Sequence, residues 1–280
     1  MINFLVELRI KSLKDDIFTG AAALTFYLLL SIFPAVIFLF SLLPYLPFDN
    51  LEKTILDFAS LVWPKEATIL FSNVINDVMA HQDARIVSLS LLGTIWTAST
   101  GMYAIMRQLN KTFEVTEERP FFKGMTVAIL LTIVFGIQVL SVFSLIIFGG
   151  ILQDFFINSF SYQKLFFIVA FESLRLIISV FSLLLGFALI YHYGPNLKRR
   201  FSLFGLGNII AVVLLVFGSL GFRYYIENFS NYANTYGSLG AVIILMLWLY
   251  MAGAILLFGS EVNILAEKHK LFIKKSDMNH

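Results

Sequence analysis

The chain has 280 residues, 59% of them hydrophobic and 14% charged, against about 25% charged in soluble proteins. A soluble globule of this length cannot hide that much apolar surface, so lipid has to solvate part of it. Acidic and basic residues nearly balance at 18 and 20, which removes the basic field of a nucleic-acid binder. The lack of cysteine removes disulfides, zinc–thiolate sites, iron–sulfur ligation and cysteine nucleophiles.

Six windows contain no Asp, Glu, Lys or Arg: Ile17–Phe48, Ile86–Met106, Gly124–Gln153, Leu176–Leu197, Phe201–Phe222 and Asn228–Ser260. A bilayer core of roughly 30 Å needs about 20 helical residues, so each window can span once. Barrel strands would instead show short alternating segments. The expectation is an all-α polytopic membrane protein, one domain over 1–280, with helices at 20–46, 86–106, 124–150, 174–195, 201–222 and 238–260.

Arg9, Lys11 and Lys14 precede the first of these helices. Its 32-residue apolar window is too long for a signal-peptide core, so a retained helix is expected. Pro34 near its middle predicts a kink, with Ser31 placed to help satisfy the freed carbonyl. The following segment, 49–85, is net acidic and carries apolar residues at helical spacing on both sides of Trp63-Pro64. Two short amphipathic helices are expected there, serving either as a packed connector or as a lid or docking surface. The second membrane helix has Gly93, Thr97 and Gly101 four apart, a stripe that admits a close neighbour.

Arg107, Lys111, Arg119 and Lys123 separate the second and third helices, Lys198, Arg199 and Arg200 the fourth and fifth, and Lys268, Lys270, Lys274 and Lys275 follow the sixth. With the basic residues ahead of helix one, they put both termini in the cytoplasm. Glu172 and Arg175, three apart on one helical face, form either a structural pair or a substrate or proton site. Gln138 and Asn208 suit helix–helix hydrogen bonding, and Gly207 with Ala211, like Gly237 with Ala241, suits close packing. Glu261 ends the last helix, as an interfacial anchor or as a group facing the bundle. No HExxH, GxSxG or GxxxxGK[ST] motif occurs, so the usual signatures of zincins, serine hydrolases of that type and P-loop ATPases are missing.

The run Ala23-Leu24-Thr25-Phe26-Tyr27-Leu28-Leu29-Leu30-Ser31-Ile32-Phe33-Pro34 resembles the first-helix signature of the YihY/BrkB family of bacterial inner-membrane proteins. Asn110, Arg119 and Pro120, then Tyr191 and Pro195-Asn196, fall where that family has similar residues. Tyr236-Gly237-Ser238-Leu239-Gly240-Ala241, Leu247-Trp248-Leu249-Tyr250 and Phe258-Gly259-Ser260-Glu261-Val262-Asn263 resemble its last helix. Phe26, His192 and Ser260 depart from it, standing where tyrosine, arginine and alanine are usual. The resemblance implies six helices and cytoplasmic termini. Members of the family were long labelled ribonuclease BN, an attribution generally regarded as mistaken, and others are linked to envelope integrity, serum resistance or movement of lipidic envelope components.

The expected function is therefore a transporter or flippase-like protein of the bacterial inner membrane, acting on a lipidic or amphipathic envelope molecule. Tyr27, Ser31, Glu172, Arg175, Tyr236 and Glu261 are the expected pathway residues. The alternative is a non-transporting scaffold for envelope assembly that docks an envelope protein through 49–85, and a ribonuclease comes last. No catalytic residue, metal, cofactor or nucleic-acid partner is expected, membrane lipids are the expected partners, and no pattern in the chain sets the oligomeric state.

Overall fold

The computed structural model describes residues 2–42, 84–159, 164–197, 201–229 and 238–277. Among them are seven helices: α1 (Ile2–Lys14), α2 (Ile17–Leu42), α3 (Ala84–Thr112), α4 (Phe121–Ser159), α5 (Lys164–Tyr193), α6 (Leu206–Phe229) and α7 (Ser238–Asp277). No strand occurs among the described residues. The amphipathic segment expected at 49–85 lies outside them apart from its last two residues.

Four stretches are long and apolar enough to cross a bilayer: Phe121–Ser141, Phe171–Tyr193, Leu206–Ile226 and Val242–His269. A fifth is counted if Phe4–Lys14 and Ile17–Ile32, bent by 54° at a short break, form one span. Within α6 only 11% of the most apolar window is buried, and Phe217, Leu220 and Val213 point outward. That exposure is what lipid rather than water would solvate. Helix α3 covers the second expected span but is diluted by hydroxyl residues. Their oxygens turn back into the helix: Thr94 donates to the Ser90 carbonyl at 2.7 Å, Thr97 to Gly93 at 2.8 Å and Thr100 to Trp96 at 3.0 Å. Such back-bonding satisfies a hydroxyl without an outside partner.

The residues group into two compact units. One comprises 16–105 and 215–255. Its core includes Ile17, Ala21, Leu24, Met102, Ile105 and Leu249. Here the small-residue stripe does what its spacing predicts. A Cβ at Gly101 would lie 3.1 Å from Cβ of Tyr27, and one at Gly93 would lie 3.6 Å from that of Pro34. Helix α2 continues through Pro34.

The other unit comprises 1–15, 106–214 and 256–280. Helices α4 and α5 pack together in it, and Gln138 of α4 donates to the Ser182 carbonyl of α5 at 3.5 Å. Helix α1 is a finding the charge pattern hid. Leu8, Lys11, Ser12 and Asp15 are buried, whereas Leu5, Val6, Ile10 and Leu13 are exposed. The i, i+3, i+4, i+7 spacing is helical, and the charged Lys11 and Asp15 lie on the inward face with Leu8 and Ser12 while four apolar residues lie outward.

Candidate functional site

Three polar assemblies lie in the unit built from 1–15, 106–214 and 256–280. The first forms where α3 ends. Val115 donates its N–H to the Asn110 carbonyl at 3.0 Å and Glu114 donates its own to Lys111 at 3.1 Å, the paired bonds of a Schellman cap. Glu114 takes the left-handed position with φ of 55°. Glycine usually fills such a place, and a side chain there costs about 1–2 kcal/mol. What the carboxyl gains is a pair of lysines, Lys268 at 3.6 Å and Lys11 at 3.5 Å. They hold it below the ordinary carboxylate range.

Lys11 joins this surface acid to the interior. Its Nζ donates to Asp15 Oδ2 at 2.6 Å and lies 3.6 Å from Glu261 Oε2. Glu261 is fully buried. Its Oε1 accepts from the Thr112 hydroxyl at 3.1 Å, and its Oε2 has no hydrogen-bond partner among the described residues. Asp15 and Glu261 thus face the same ammonium. Gln108 donates to the Asp15 carbonyl at 2.8 Å and fixes the end of α1 beside it. Glu261 falls inside the candidate span Val242–His269. A buried charge in such a place needs partners or a wet cavity.

The second assembly joins α6 to α7. Asn263 Oδ1 accepts from the Gly207 N–H, one of the donors that a helix start leaves unpaired, at 2.8 Å. Its Nδ2 donates to Asn208 Oδ1 at 2.8 Å, and Asn208 Nδ2 donates to the Ser202 and Leu203 carbonyls at 2.9 and 3.0 Å. Both amides are buried and each bonds through its oxygen and its nitrogen, so the helix–helix bonding expected of Asn208 is present. Beside it Tyr191 donates to the Leu256 carbonyl at 2.6 Å.

The third is a clasp between the loop after α3 and the end of α5. Arg119 grips Glu117 through Nε at 2.7 Å and Nη2 at 2.8 Å, and Nη2 also donates to the Gly194 carbonyl at 2.8 Å. Asn110 Oδ1 accepts from the Asn196 N–H at 2.6 Å, while Asn110 Nδ2 donates to Glu117 at 2.6 Å. The separate motif residues Asn110, Arg119 and Asn196 thus belong to one structure. It borders a cleft of 560 Å³ lined by Glu118, Arg119, His192, Tyr193 and Asn196, among others.

The hydrogen bonds from Arg119 hold the Glu117 carboxyl below its usual range. The unfolded chain would titrate near 4.3, so the clasp stabilises fully above that value and weakens as pH falls through the lower folded value. Glu117→Gln should remove this acid sensitivity. Unfolding midpoints in detergent between pH 6 and pH 3 should therefore fall less steeply in the variant than in the wild type.

Of the expected pathway residues, Glu261 stands at the centre of a built site and faces inward. Ser31 is buried and donates to the Leu28 carbonyl at 2.7 Å, and Tyr27 is half-buried against Gly101. Glu172 is exposed and Arg175 half-buried. Among the described residues no ion pair joins them. Tyr236 lies outside the described residues. Lys11, Asp15 and Thr112 went unnoticed as site residues. The helical spacing of Leu8, Lys11, Ser12 and Asp15 is the one trace of the site in the sequence, and it does not extend to Thr112. Among the described residues no group of three or more His, Asp or Glu is arranged to hold a metal ion.

No solved structure matches the chain. A Bacillus subtilis (strain 168) protein named as ribonuclease-like, YfkH, is 31% identical over 274 residues, covering 96% of this chain and 97% of its own length. A UPF0761 membrane protein of Tolumonas auensis is 28% identical, covering 86% of this chain and 78% of its own. Another of Cronobacter sakazakii is 26% identical, covering 90% and 84%. The sequence profile of the family described as virulence factor BrkB matches residues 10–279. This chain is thus an integral membrane protein belonging to the BrkB family.

Proposed function

We propose that the protein is a transporter or flippase-like protein of the bacterial inner membrane, with six spans and both termini in the cytoplasm, moving a lipidic or amphipathic envelope molecule. The observation that carries this reading is Glu261, a fully buried carboxylate within a candidate span, beside Lys11 and Asp15. Ionisable groups at membrane depth are expensive, and they mark substrate or ion pathways far more often than they serve packing alone. The reading involves no catalytic chemistry, and membrane lipids are its partners.

The test uses purified protein in liposomes carrying a fluorescent phospholipid and a membrane-impermeant quencher. The expected result is protein-dependent loss of inner-leaflet protection. Glu261→Gln should slow it by about tenfold or more, equivalent to about 1.4 kcal/mol on the barrier. Glu172→Gln and Arg175→Gln, assayed at matched protein levels, decide whether those residues line the same path. No movement by folded wild-type protein would overturn the lipid reading and favour a scaffold that docks an envelope protein through 49–85.

A further inference from the structure

The charges around Lys11 do not balance. Among the described residues Lys11 is the one cation at hydrogen-bonding distance from Asp15, at 2.6 Å, and it also lies 3.6 Å from Glu261. The other charged groups of the assembly, Glu114 and Lys268, face each other at 3.6 Å on its exposed side, with Lys14 acting on Glu114 from the end of α1. Inside, two buried carboxyls share one ammonium. Two carboxylates are acceptors only, so they cannot bond to one another while both are ionised. Glu261 Oε2 has no donor among the described residues, although Oε1 accepts from Thr112.

One added proton resolves both defects. It makes Glu261 or Asp15 a donor to the other, gives Oε2 its missing partner, and leaves one carboxylate facing one ammonium. We infer that Asp15 and Glu261, with Lys11 beside them, form a binding site for a single exchangeable proton shared between the two carboxyls. The proton comes from water and returns to it, with no redox step. Its use as a coupling ion rests on the transport reading above, whereas its binding does not.

The experiment is infrared spectroscopy of the full-length protein in lipid, reading the C=O stretch of protonated carboxylic acid. A band at neutral pH is expected that shifts in D₂O and disappears in alkali. Glu261→Gln and Asp15→Asn should each abolish it, because the remaining carboxyl then has Lys11 to itself. Glu7→Gln, an exposed change on the same helix, should leave it. If the two site variants fail to fold, Thr112→Val decides, since losing the donor to Oε1 should move the band without removing the acid.

Absence of the band in the wild type overturns the inference, as does its persistence unchanged in Glu261→Gln, Asp15→Asn or Thr112→Val. So does stabilisation by sodium ions without any protonated-acid band, which would make the ligand a metal cation. A band without lipid movement would remove the cargo and keep the proton site. Lipid movement without a band would do the reverse.

Discussion

Lys11→Met should destabilise the folded protein by about 3–5 kcal/mol, the usual consequence of leaving a buried charge without its partner. The lysine is 8% exposed and holds Asp15 at 2.6 Å. Methionine has similar length and fills the same space, so the loss would come from electrostatics rather than from a cavity. What remains is the Asp15–Glu261 pair with its one negative charge and, among the described residues, no cation beside it. Adding Glu261→Gln to the same chain should cost less than the sum of the two single changes, because Lys11 and the Glu261 carboxyl interact directly. Midpoints of thermal unfolding in detergent, compared among the wild type, both single variants and the double variant, measure this coupling. A Lys11→Met protein as stable as wild type would show that the cluster carries no interaction energy.

The second large effect is expected where α6 crosses α7. A methyl group at Gly207 would run into the carbonyl oxygen of Gly259, and would sit 2.6 Å from Cγ and 2.8 Å from the backbone N of Asn263. At Gly259 it would meet the Tyr191 hydroxyl at 2.5 Å, Cβ of Ala211 at 2.8 Å and the Gly207 carbonyl oxygen at 2.9 Å. Overpacking generally costs about 1–3 kcal/mol. Gly207→Ala should lie at the upper end, since two of the atoms it meets are backbone and the Gly207 N–H bond to Asn263 would be pushed apart. Gly136 and Gly221 supply the control, as nothing lies within 4 Å of a Cβ at either. Alanine at those helical positions should stabilise, by about 0.5–1 kcal/mol. Recovery of monodisperse protein on gel filtration, followed by melting, separates the two classes.

The contrast shows which signals a linear chain carries. Charge-free windows anticipated helices at all the described spans, because hydropathy accumulates over 20 residues and survives local detail. Gly207 and Ala211 were readable as a packing face, although their partner, Gly259, was not, since spacing names a face and not its neighbour. Glu261 was legible as a charge at the end of an apolar run. In the structure α7 continues to Asp277 and buries it completely, so the end of the hydrophobic run is not the end of the helix. Lys11 and Asp15 were obscured for the opposite reason. Glu7, Arg9 and Lys14 on α1 are exposed, as charge on a helix usually is, but Lys11 of the same basic run is buried, so a residue serving as an orientation signal also completes a buried site.

The clasp was half legible. Asn110, Arg119 and Asn196 were conspicuous as motif residues, but they are brought together by the turn after α3 and the end of α5. That convergence depends on Gly194, where any side chain would collide with the Ile190 carbonyl and come within 2.7 Å of Leu109. Nothing in their spacing along the chain forecasts it.

The buried ion cluster joins the first helix of the chain to the last, with Thr112 contributed between them. A ribosome releases Lys11 and Asp15 long before it makes Glu261. Until α7 is threaded, the acid–lysine pair on α1 has neither its third member nor its cover. Closing the cluster therefore requires that α7 has been made. A chain truncated before Glu261 would leave Lys11 and Asp15 without the Glu261 carboxyl and the cover that α7 brings.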